Sequence, residues 1–164
     1  GFTGLSDLEH VVSRVTASSG IPLIADIEDG FGGPLAVYRS ARVLSRAGAA
    51  AIQLEDSSDM EESTGLLPRE KYLAKVKAAV EGLKGTDCML IARSNADPYD
   101  PDAMEEGCAR LREAMELGAD MAMMRAMSRG SGGNSQSTVP AGSARGNAGQ
   151  IVISMPDIAD VLRR

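Results

Sequence analysis

A strand-then-helix unit that repeats along the chain limits its possible folds more than any other feature. "PLIADI" (22–27), "AAIQLE" (50–55), "CMLIAR" (88–93) and "ADMAMM" (119–124) are short apolar runs of the length and composition of buried strands. Amphipathic helices are predicted between them, over 34–47, 69–83 and 101–117. Pro34 suits a first helical turn and Gly48 a helix stop. In the second helix Tyr72, Val76, Ala79, Val80 and Leu83 form one face, with the lysines assigned to the other. Strands alternating with helices imply right-handed βαβ units and a parallel sheet. An open doubly wound sheet and a closed barrel both satisfy that pattern.

Polar residues gather at the C-terminal ends of four successive strands: Asp26 and Glu28, Glu55 and Asp56, Arg93, then Arg125. Both architectures keep their sites there. In "ADIEDGFGG" (25–33), alternation along a strand would point Asp26 and Glu28 to the same face. Two such carboxylates repel unless a cation or proton lies between them. Glu55 would add a third acid. Three oxygen donors with room for water suit Mg²⁺, with Mn²⁺ as the substitute. Gly30, Gly32 and Gly33 would let the backbone turn sharply and come close to a ligand. Asp29 and Asp56 read equally well as solvated loop acids. Arg93 could grip a carboxylate or phosphonate bidentately, or pair with Glu55 or Asp26, and the two roles can coexist. His10 reads as a helix-face histidine, and Cys108 as a core residue.

Composition excludes several classes. A net charge of −6 and 3% aromatic residues give no basic or stacking surface for nucleic acid. No apolar run approaches the roughly 18 residues of a membrane span. Two cysteines, Cys88 and Cys108, do not make a disulfide framework, so a reduced cytoplasmic setting, or an organelle matrix, is expected. One domain is expected over 1–164, with the Gly/Ser-rich 129–149 a flexible loop and "QIVISM" (150–155) a further strand. "GFGG" alone is too little for a nucleotide-binding reading, because the Gly-x-Gly-x-x-Gly spacing is absent.

Five segments, "PLIADIEDGFGG", "AGAAAIQLED", "LLPREKYLAKVKAAV", "LIARSNA" and "LGADMAMM", resemble in order and spacing the isocitrate lyase and phosphoenolpyruvate mutase superfamily, over about residues 1 to 126. The resemblance implies a TIM-type (β/α)₈ barrel, incomplete in this chain, assembled as a homo-oligomer. It implies Mg²⁺-dependent lyase or mutase chemistry on C–C or P–C bonds of small 2-oxo or 2-hydroxy carboxylates or phosphonates, through an enolate. It further implies that Asp26 binds the metal directly, that Glu28 and Glu55 ligate it or hold its waters, and that Arg93 binds the substrate's acid group. Gly30 is assigned to the substrate side of the same turn.

Departures from the pattern bear on the chemistry. Lyases of the superfamily carry a Lys-Lys/Arg-Cys-Gly-His loop after the second of these strands, where this chain has "SSDMEESTG" (57–65). Ser57, Ser58, Asp59 or Glu61 would then have to move the proton. Asn95 stands for the usual Asp and Arg125 for a common Glu. The superfamily's first two strands are expected before Gly1. The alternative reading is a catalytically silent scaffold or binding protein that keeps the acids and has lost the loop.

Overall fold

The computed structural model describes residues 4–57, 65–125 and 150–153. The predicted loop at 129–149, and Ser58, Asp59 and Glu61, lie outside the described residues. The elements run α1 (Leu5–Ser18), β1 (Ile24–Asp26), α2 (Pro34–Arg46), β2 (Ala51–Glu55), α3 (Arg69–Leu83), β3 (Met89–Ser94), α4 (Pro101–Glu116), β4 (Met121–Arg125) and β5 (Gln150–Ile153). Pro34 and Pro101 open α2 and α4, where a missing backbone N–H costs nothing. Asp100 caps α4 by accepting from the Asp102 and Ala103 amides.

The sheet order is β1-β2-β3-β4-β5, parallel from β1 to β4, with β5 antiparallel to β4. Crossovers of one hand that always step the same way put every helix on one face of a sheet. A doubly wound fold would need the order to reverse. The barrel-type winding is therefore the one this chain follows.

The two faces of the sheet differ accordingly. Ala25, Ile52, Leu54, Leu90, Ala92, Ala122 and Met124 pack under the helices with Val37, Ala41, Leu44, Tyr72, Val76 and Leu111. On the opposite face Ala51, Ile91 and Met123 form a small apolar floor with Met121. Asp26 is aligned with Gln53, and Glu55 with Arg93, which in turn is aligned with Met123. The charged residues at the strand ends thus stand on the face away from the helices, just above that floor.

Helices α2 and α3 meet closely at Gly82. A Cβ there would lie 2.8 Å from the Tyr38 carbonyl oxygen and 2.9 Å from the Ala41 Cβ. His10 is exposed and Cys108 half-buried against the core. No helix among the described residues is long and apolar enough to cross a membrane.

Candidate active site

The acidic stretch after β1 is a turn, and this changes why its carboxylates converge. The strand ends at Asp26, and the Gly30 amide donates to the Ile27 carbonyl at 2.7 Å, which makes Glu28 and Asp29 the central residues of a β-turn. Glu28 has φ +51° and Gly30 φ +88°. Left-handed backbone is unusual for a glutamate. Two hydrogen bonds hold it: the Glu28 amide donates to Asp26 Oδ1 at 2.9 Å, and its carbonyl accepts from the Glu55 amide at 2.7 Å. The pleat alternation expected for Asp26 and Glu28 is therefore replaced by a turn that reaches the same result. Asp26, Glu28 and Glu55 each offer a carboxylate oxygen, all within 4.8 Å of one another.

Arg93 is set among these acids. Its Nη1 lies 2.5 Å from Glu55 Oε1 and 3.5 Å from Asp26 Oδ2. Its Nε donates to Asn95 Oδ1 at 3.1 Å, and Asn95 Nδ2 donates in turn to Glu55 Oε2 and to Ser57 Oγ. The Ser57 hydroxyl also reaches Glu55 Oε2, at 3.0 Å. Gln53 Nε2 donates to Asp26 Oδ2 at 2.7 Å. Glu55 is therefore buried and held on both oxygens, whereas the Asp26 side chain is 44% exposed. Burial, reinforced by the charge of Glu55, pushes the Asp26 carboxyl above its ordinary range. The Glu28 amide and Arg93 pull the other way. A carboxyl of this kind is relieved by a cation, and an all-oxygen donor set suits a hard divalent ion. On its donor chemistry the cluster fits Mg²⁺ or Mn²⁺.

Asp56 and Asp29, which the sequence left open, take the buried or paired role, and Lys75 departs from its expected face. Asp56 is fully buried rather than a solvated loop acid. It accepts from Ser94 Oγ at 2.7 Å and from the Asn95 amide at 2.8 Å, and Arg110 Nη1 lies 3.7 Å away. Burial raises its carboxyl, partly offset by those two hydrogen bonds and by Arg110. Asp29 is not simply solvated either, since its Oδ2 lies 3.1 Å from Lys75 Nζ. Lys75 itself, assigned to the solvent face of its helix, is buried. Its i+3 spacing from Tyr72 and i−4 spacing from Ala79 would have put it on the apolar face. Gly30 is buried, and a Cβ there would lie 2.4 Å from Val37 Cγ2, so the structure uses this glycine for turning and close packing. Gln53 escaped notice, although its place two residues before Glu55 puts it on the same face. Arg125 ends β4 and is exposed.

With this geometry in hand, comparison with known proteins gives a consistent answer. Residues 3–141 match the phosphoenolpyruvate phosphomutase family. The chain belongs to that family, within the superfamily that includes the isocitrate lyases. It is 30% identical over 132 residues to a 2-methylisocitrate lyase of Vibrio cholerae, covering 77% of this chain and 42% of the relative. It is 35% identical over 129 residues to a 2,3-dimethylmalate lyase of Eubacterium barkeri, covering 72% of this chain and 43% of the relative. A phosphonopyruvate hydrolase solved with oxalate and Mg²⁺ superposes with a TM-score of 0.67 at 27% identity, over 76% of this chain and 44% of that one. The structural neighbours are TIM-barrel superfamily members, and this chain spans about two-fifths of the length of the curated relatives it matches.

Proposed function

We propose that this chain provides the metal-binding and acid-binding half of a Mg²⁺-dependent lyase or mutase site. The substrate would be a small 2-oxo or 2-hydroxy carboxylate, or a phosphonate analogue. The observation that carries the reading is the convergence of Asp26, Glu28 and Glu55 with Arg93 at the C-terminal ends of adjacent parallel strands. The names of the relatives, lyases of small branched acids and a hydrolase of a phosphonate, support the substrate class.

Asp26 and Glu28 would hold the ion directly. Glu55 would orient its waters, because it is buried and closely paired with Arg93, whereas the Asp26 side chain is open to an incoming ion. A bound divalent ion would supply Lewis acidity toward an oxygen that gains negative charge as the bond beside the carboxylate breaks. Arg93 would take the substrate's acid group, with Asn95 fixing the plane of its guanidinium. Gln53 keeps Asp26 from rotating away, which preserves the geometry before substrate arrives. Ser57 is the one described member of the candidate proton-transfer loop, and its hydroxyl is directed at Glu55. The homo-oligomer implied by the resemblance belongs to the same proposal.

Calorimetric titration with oxalate, with and without Mg²⁺, tests this reading. Oxalate mimics a planar two-carbon acid with adjacent oxygens. Binding that requires Mg²⁺, is lost in Asp26→Ala and is weakened in Arg93→Ala is the expected result. No heat in either condition from a folded sample overturns it, and the silent scaffold would then be the better account.

A further inference from the structure

We propose that Lys75 is a positioning residue for the candidate metal site: from beneath, it clamps the turn that presents Glu28, and it withdraws Asp29 from the acidic cluster. The inference rests on the metal-binding reading given above. Four carboxylates lie at this mouth, Asp26, Glu28, Asp29 and Glu55, yet only three of them converge. The fourth is turned toward α3. Lys75 Nζ donates to the Asp29 carbonyl at 2.8 Å and to Asp29 Oδ2 at 3.1 Å. The other oxygen of Asp29 accepts from the Phe31 amide at 3.2 Å. One side chain thus holds both the main chain and the side chain of the turn's second central residue.

The first central residue is Glu28, in the left-handed conformation that a glutamate does not adopt without support. Fixing Asp29 fixes the peptide between them, and with it the direction of the Glu28 carboxylate. Lys75 is suited to this because it is buried, its side chain only 8% exposed. A long ammonium held in one geometry by two oxygens does not wander. The electrostatic consequence matters as much. Were Asp29 free to join Asp26, Glu28 and Glu55, a fourth like charge would enter a site that Arg93 and one divalent ion must balance.

The test is Mg²⁺ affinity of the full chain, measured by calorimetry at a temperature where circular dichroism shows each variant folded. Lys75→Met is expected to weaken Mg²⁺ binding roughly tenfold, the size expected for a lost outer partner of a metal site. Lys75→Arg should recover most of that loss. Asp29→Asn, which keeps the carbonyl contact, should fall between them. Folded Lys75→Met with Mg²⁺ affinity within twofold of wild type overturns the inference and leaves Lys75 a stabilising residue only. If Lys75→Met does not fold, Lys75→Gln and Lys75→Arg carry the comparison, and equal Mg²⁺ affinity in both overturns it. Wild-type protein that binds no Mg²⁺ removes the metal reading, and this inference with it.

Discussion

The Arg93 guanidinium lies between Glu55 and Asp26, 2.5 Å from one carboxylate and 3.5 Å from the other. The site thus carries its own cation, and a divalent ion bound as proposed would share with Arg93 the work of balancing the acids.

Replacing Arg93 by Met should make that sharing measurable. Removing one partner of a buried ion pair leaves an uncompensated charge, so we expect a loss of about 3 kcal/mol in metal-free protein. Saturating Mg²⁺ should restore part of it, because the ion neutralises the same carboxylates. Urea unfolding with and without Mg²⁺ reads both quantities. An equal loss in the two conditions would mean that the ion does not meet this cluster.

The raised Asp26 carboxyl sets the sign of two pH effects. Between its ordinary value of 3.8 and its higher folded value the native state holds a proton that the unfolded chain has released. Its contribution to stability therefore declines as pH rises through that window. Mg²⁺ binding runs the other way, since the ion must displace that proton. Affinity is expected to fall on acidification from pH 7, starting above the ordinary aspartate range. Calorimetry in buffers of different ionisation heat should show protons released on binding at the acidic end. The release should vanish in Asp26→Asn.

Asn95→Asp would set an acceptor-only side chain against Glu55 Oε2, where an amide now donates. A loss of about 1–3 kcal/mol is expected at neutral pH. It should shrink at lower pH as a shared proton rejoins the two carboxyls. Unfolding curves of this variant at two pH values decide the matter, and a cost independent of pH would contradict the charge argument.

Gly82→Ala tests the scaffold apart from the site. Its new methyl would meet the Tyr38 carbonyl, a backbone atom that cannot swing aside. Forcing α2 and α3 apart is expected to cost about 1–3 kcal/mol. Mg²⁺ affinity of the folded protein should be unchanged. A variant as stable as wild type would show that the helices part easily.

Legibility in the sequence followed periodicity. Helix α3 begins and ends at the predicted residues because its apolar positions repeat without interruption. Strand β1 is shorter than predicted because the turn that carries Glu28 starts directly after Asp26. Spacing alone left barrel and doubly wound sheet open, since strand order is a long-range property that local spacing does not encode. The family resemblance implied the barrel, and the strand order agrees with it. Nor was the antiparallel direction of β5. Among candidate site residues, Asp26, Glu28, Glu55 and Arg93 could be named from their places at strand ends. The partners of Asp29 and Asp56 could not. Lys75 lies 46 residues from Asp29, and Arg110 comes from a different helix than the strand end it faces. Spacing tells which way a side chain points, and says nothing of the counter-ion that waits there.

The adjacent acids Glu55 and Asp56 face opposite sides of the sheet, each toward its own arginine. This gives β2 a lock with two keys. If the strand slipped forward by one residue, Leu54 would stand opposite Arg93. If it slipped back, Ser57 would stand opposite Arg110. Either error takes a carboxylate from a buried guanidinium, leaving Arg93 only the more distant Asp26, or Arg110 only Glu106. The dipeptide thus favours one alignment of β2 on both faces of the sheet, and the arrangement that holds Glu55 in the proposed site also disfavours a slipped strand.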